Sequence, residues 1–200
     1  MRPGEILDIA RHAGGVASAS ELIRGGARWE DLYRLRDQGA LIELSRGIYR
    51  VADAPATAHL DLVAVCRRAP EGMICLSSAA SFWDLTDEMP DGVHVAVARG
   101  SHRPRISYPP TRVHVFAADT FALGRIRQVL ESGETITVSS KERTVVDLLR
   151  LRSRVGRDLA LSALRRYLQG RDAKPGELLA LARQLRVGTV MAGAMEPLLA

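Results

Sequence analysis

Apolar positions recur at helical spacing along the first forty residues and then change period. After Pro3, the residues Ile6, Leu7, Ile9 and Ala10 form one stripe that stops at Gly14-Gly15. Pro3 suits the first turn of a helix, where its missing N–H costs nothing. Val16 leads into Ser18, and the spacing from Ser18 to Glu21 is that of a capping box. This predicts a second, short helix through Leu22 and Ile23, closed by Gly25-Gly26. A third helix is predicted from about Arg28 to Gln38, with Leu32, Leu35 and Gly39 on its inward face and Gly39 ending it. Leu41 and Glu43, then Ile48 and Arg50, alternate as strands do on either side of Ser45-Arg46-Gly47. That is a β-hairpin with an arginine at its tip.

Short helix, Gly-Gly turn, amphipathic helix and two-stranded ribbon is the order of parts in a winged helix-turn-helix. Residues 1–53 are therefore expected to form such a DNA-binding domain. On a helical wheel with Leu32 facing the core, Glu30, Arg34 and Asp37 point away and Tyr33, Asp31 and Gln38 flank them. Trp29 falls near the core edge and is expected to pack there. Tyr33, Arg34 and Gln38 suit a helix in the major groove, because arginine bonds bidentately to guanine and glutamine to adenine. Arg28, Arg36, Arg46 and Arg50 are assigned to phosphates, with Arg46 and Arg50 on the hairpin. The same shape also serves protein–protein contact, so shape does not fix function.

Asp53 to Thr57 reads as a Pro/Ala-rich segment, with a hinge placed at 54–57 and a second domain at 58–200. There, His59–Arg68 predicts a helix and Ile74–Leu76 a short strand. Ser77-Ser78 are expected to cap a helix through Leu85. Strands are expected at Val93–Val97, Val113–Phe116 and Ile136–Val138. Helices follow from Ser140, over Leu159–Leu168, over Pro175–Leu185 and over Thr189–Leu198. A strand-rich first half and a helical second half make an α+β domain.

The formal charge of +5 favours polyanions or acidic proteins. It is unevenly placed, because residues 1–55 hold eight Arg and eight acidic residues and the whole excess lies beyond them. Arg99-Gly-Ser-His-Arg-Pro-Arg105 is a basic loop that suits nucleic acid, an acidic protein or plain solvent. No apolar run is long enough for a membrane span and the N-terminus has no secretion-signal pattern, so a cytoplasmic protein is expected. Cys66 and Cys75, with no second pair, are expected to be reduced thiols. No phosphate-binding, zinc-protease or nucleophile-elbow motif occurs. The five His are scattered, although His94 and His114 lie on strands that can neighbour each other. Asp84, Asp87, Glu88 and Asp91 have the composition of a solvated turn, and Glu142 and Asp147 point apart on one helix. No enzyme, no cofactor and no metal is expected.

Three segments resemble the AbiEi-type antitoxins of type IV toxin–antitoxin systems, also described as transcriptional regulators of viral defence. The first is the N-terminal stretch ending in Gly39, Leu41, Arg46, Gly47 and Tyr49. The second is CLSSAASFWDL, with Ser78, Ala79, Ala80 and Trp83, and the third VSSKERTVVDLLRL, with Ser140, Arg143, Thr144 and Asp147. The resemblance implies an N-terminal domain that represses its own operon promoter by binding double-stranded DNA, often on inverted repeats. It implies a C-terminal domain that counteracts a nucleotidyltransferase-type toxin, and it allows a monomer in solution with cooperative binding on DNA. Arg143 and Asp147, at i and i+4, form an ion pair on one helix, which is expected to be structural. The alternatives are a ligand-responsive winged-helix regulator without a toxin, and an enzyme of nuclease or nucleotidyltransferase kind.

Overall fold

Capping chemistry and short apolar stripes set the N-terminal elements. The computed structural model describes residues 2–55 and 57–199. Helix α1 (Pro3–His12) buries Ile6 and Ala10. Strand β1 (Val16–Ser18) runs directly into α2 (Ala19–Arg24). Ser18 Oγ accepts from Glu21 N at 3.2 Å, and the Glu21 carboxylate accepts from Ser18 N at 2.7 Å, the capping box the spacing predicts. Helix α3 (Trp29–Asp37) buries Leu32 and Leu35. Strands β2 (Leu41–Ser45) and β3 (Ile48–Val51) form the hairpin, and the sheet order is β1-β3-β2, antiparallel throughout. Gly47, at φ +72°, takes the left-handed conformation that a two-residue hairpin turn needs. The core of this part gathers Ile6, Leu22, Leu32, Leu35, Leu41 and Tyr49.

Helix α4 (Leu60–Arg68) packs on β1 and β3. Its Arg67 pairs with Glu21 at 2.9 Å and also donates to the Ala13 carbonyl. Burial acts to raise the Glu21 carboxyl, but the bonds from Ser18 and the charge of Arg67 outweigh it and hold it below its usual range. By contact density the first compact unit comprises residues 1–71, with 104–111 and 127–136. The segment at 54–57 thus falls inside this unit, with Ala56 outside the described residues.

The second unit comprises 72–103, 112–126 and 137–200. Its strands are β4 (Met73–Ile74), β5 (Val93–Ala98), β6 (Thr111–Phe116), β7 (Arg125–Val129) and β8 (Thr135–Ser139), in the order β6-β5-β4-β8-β7. The far ends of β7 and β8 count with the first unit. Two-residue β4 lies at the centre, antiparallel to β5 (Ile74 opposite Val95) and parallel to β8 (Ile74 opposite Val138). The helices are α5 (Leu76–Phe82), α6 (Lys141–Arg150), α7 (Arg152–Val155), α8 (Arg157–Gln169), α9 (Pro175–Gln184) and α10 (Gly188–Leu199). Helix α6 is the hub, buried from Arg143 to Leu149 among α5, α8 and α9. Ser140 caps it as predicted, its Oγ accepting from Arg143 N at 3.2 Å.

The fold is therefore α+β, with helices and two sheets. One expectation fails locally. Ser77-Ser78 do not cap α5, which starts at Leu76 with Cys75 before it. Ser78 Oγ instead accepts from His94 N at 2.9 Å and donates to the Gly92 carbonyl, tying α5 to the start of β5. No described helix is long and apolar enough to cross a membrane.

Candidate functional site

Helix α3 and the β2–β3 hairpin carry all seven residues singled out in the sequence. Asp31, Leu32 and Leu35 are buried, and the other residues of α3 face out. Trp29, Glu30, Tyr33, Arg34, Arg36 and Asp37 are exposed, as are Arg28 before the helix and Gln38 after it. Trp29 corrects the expectation of core-edge packing. It is 48% exposed and stacks on Tyr33, itself 46% exposed, with ring centroids 6.1 Å apart. The pair stands at i and i+4, one turn apart on the same stripe. That spacing was the signal available in the sequence. The wheel angle of Trp29 misled because the first turn of α3 starts at Trp29 and extends past the core.

The arginines divide by what holds them. Arg34 pairs with Asp31 at 2.7 Å, and Asp31 is itself fixed by accepting from Arg28 N at 3.1 Å. Arg36 bonds Asp37 at 2.9 Å, reaches Glu43 of β2 at 3.6 Å, and lies over the Tyr33 ring at 5.2 Å. Hydrogen bonding to Asp37 raises the Arg36 pKa further, so the group is always charged. Arg50 points to the loop after β3, donating to the carbonyls of Ala54 and, at 3.1 Å, of Pro55. Its guanidinium is committed to the backbone of its own unit. Arg28 and Arg46 are exposed and have no carboxylate partner among the described residues, and Arg46 occupies the hairpin turn. Gln38 is exposed.

The face therefore offers a stacked aromatic pair, two exposed arginines in ion pairs (Arg34 with the buried Asp31, Arg36 with Asp37 and Glu43), and two arginines without a carboxylate partner among the described residues. The Arg36–Asp37 pair is exposed on both sides and contributes little, so Arg36 can exchange its carboxylate for a phosphate at small cost, whereas Arg34 is anchored to the buried Asp31. Ile42, 45% exposed on β2, adds an apolar surface that the sequence reading did not select.

In the second unit the acidic cluster disperses. Asp87 pairs with Arg166, whose bond holds its carboxyl below the usual range, and Asp91 pairs with Arg112. Glu142 accepts from the Tyr167 hydroxyl at 2.9 Å, while Asp147 pairs with Arg143 at 2.7 Å and Arg150 at 2.8 Å. His94 and His114 do face each other, with ring centroids 5.0 Å apart. Among the described residues no group of three His, Cys, Asp or Glu is placed to hold a metal ion. Burial pushes the Cys75 thiol well up.

No family model matches the chain, and no curated protein matches it. Among solved structures the chain is similar to the RV2827C protein from Mycobacterium tuberculosis, at 17% sequence identity and a TM-score of 0.54. The alignment covers 96% of this chain and 79% of that one. At this identity the likeness concerns the fold alone.

Proposed function

We propose that the first unit is a winged helix-turn-helix that binds double-stranded DNA, with α3 in the major groove and the β2–β3 hairpin as the wing. One observation carries this reading. The order α1-β1-α2-α3-β2-β3, with sheet order β1-β3-β2, leaves one face of α3 and the hairpin tip outside the core. Tyr33, Arg34 and Gln38 read bases, and Trp29 supports Tyr33 from the preceding turn. Arg28, Arg36 and Arg46 contact phosphates. Arg50, bonded to the carbonyls of residues 54 and 55, serves as a brace for the hairpin.

On the resemblance of the three sequence segments we further propose a biological setting. The protein represses its own operon and counteracts a nucleotidyltransferase-type toxin encoded beside it, acting in the cytoplasm. The test begins with two single substitutions. Arg34→Ala should relax base preference at a cost of about 1–3 kcal/mol. Arg46→Ala should weaken binding to all sequences alike and reduce the salt slope by about one. A doubly substituted protein that binds DNA upstream of its own gene as well as the parent does would show this docking to be wrong.

A further inference from the structure

The basic loop after β5 is not absorbed by the DNA reading, and it ends in a cavity of its own. Arg99 and Arg103 from that loop, Arg150 from α6 and Arg154 from α7 line a single space of about 450 Å³ in the second unit. His114 and Phe116 of β6 form part of its wall, and no carboxylate does. Arg99, Arg103 and Arg154 are exposed and have no carboxylate partner among the described residues. Arg150 is held from behind, by Asp147 at 2.8 Å and by the Phe116 ring at 5.1 Å. Its Nε is buried without a hydrogen-bond partner, as is Nε2 of His114. Buried polar atoms without a partner are costly, and three guanidinium groups without a carboxylate, beside a fourth, repel each other unless an anion lies among them.

We propose that this cavity is a binding site for a phosphate group. Guanidinium forks match phosphate oxygens in pairs, and four of them exceed what one carboxylate can satisfy. The volume is that of a small-molecule site, larger than a phosphate alone, so the group arrives on a nucleoside-sized remainder. Val115 and Leu151 supply apolar lining for that remainder. The cationic field is already felt by His114, whose pKa is lowered first by burial and then by Arg154 and Arg112. Bound phosphate offsets that field. The phosphate can come from a free mononucleotide or from a nucleic-acid backbone, and the site does not depend on α3 binding DNA.

The experiment follows the histidine ring signals of the full-length protein by NMR during titration with inorganic phosphate, adenosine monophosphate and a short oligothymidylate. His114 should shift while His12 and His59, outside the second unit, stay put. Arg103→Gln and Arg154→Gln should each weaken binding about tenfold. Both side chains are exposed and unpaired, so the variants fold. Arg165→Gln, an exposed arginine of α8, should leave it unchanged. A response to adenosine monophosphate identifies a free nucleotide as the source, and a response to oligothymidylate alone identifies the polymer backbone. No shift of His114 with any of the three, or equal weakening by Arg165→Gln, would overturn the proposal.

Discussion

Arg143 shows most plainly how one residue can organise a domain. Its guanidinium has no solvent exposure, pairs with Asp147, and donates to the Thr120 carbonyl at 2.9 Å and to the Leu123 carbonyl. Burial pushes the Asp147 carboxyl up, against the pull of Arg143 and Arg150. Removing one member of a buried pair strands the other, so Arg143→Met should destabilise the protein by about 3–5 kcal/mol, read as a lower urea midpoint. Gly124 makes room for this side chain. It sits at φ +64°, and a Cβ there would come within 2.6 Å of Arg143 Cβ. Gly124→Ala should therefore also destabilise, by roughly 1–3 kcal/mol, without touching any charge.

His94 gives a pH signature at the same scale. Burial, then His114 and Arg112, lower its pKa from 6.5 to about 4. The folded state thus holds the ring neutral. Its contribution to stability is complete above about pH 6.5 and is lost as the pH falls through about 4. The loss is on the order of 3 kcal/mol. Urea unfolding at descending pH should show this decline, and His94→Gln should flatten it; an unchanged acid limb in the variant would assign the decline to other groups. The sequence placed His94 and His114 on adjacent strands but gave no sign of burial, since β5 is covered on both faces.

At the scale of elements, legibility followed length. Helices α1, α3, α4, α6, α8, α9 and α10 were readable because each repeats its apolar stripe over two turns or more. β1, three residues long, is too short for alternation to register; β4 was expected at Ile74–Leu76 but lies at Met73–Ile74, because Leu76 already opens α5. β7, Arg-Ile-Arg-Gln-Val, hides its strand character behind polar residues because most of its positions are not buried. The capping serines show the other limit. Ser18 and Ser140 were readable from spacing, whereas Ser78 was drawn into a tertiary bond with β5 that spacing does not report. For the candidate site, α3 and the hairpin were legible as elements, whereas the surroundings of Trp29 and Arg50 were not. Their partners, the Tyr33 ring and the carbonyls at 54 and 55, depend on where the helix and the following loop turn. Because the Trp29–Tyr33 stack lies outside the core, Trp29→Ala with Tyr33→Ala should change the melting temperature by only a few degrees. It should nevertheless abolish sequence preference on DNA. A large loss of stability would return Trp29 to the packing role the wheel gave it.

At the scale of the molecule, two facts pull against each other. The first unit carries the elements proposed to read DNA, yet residues 1–55 are neutral, and the excess of +5 lies in the remainder. Side-chain placement resolves part of this, because four of the five selected arginines, Arg28, Arg34, Arg36 and Arg46, are themselves exposed. Neutrality then predicts modest affinity with few released counterions, and a slope smaller than that of strongly basic repressors. The placement of α4 in the first unit, through Arg67 and Glu21, was not legible either. Composition marks 54–57 as a break, whereas the Arg67–Glu21 pair joins residues 46 apart in sequence, a separation that composition does not report.

The most direct measurement is binding of the purified protein to DNA upstream of its own gene and to scrambled DNA of the same composition, across a salt series. The account predicts a clear preference for the upstream sequence, with affinity falling log-linearly as salt rises. Equal binding to both DNAs, or none at low salt, would contradict it.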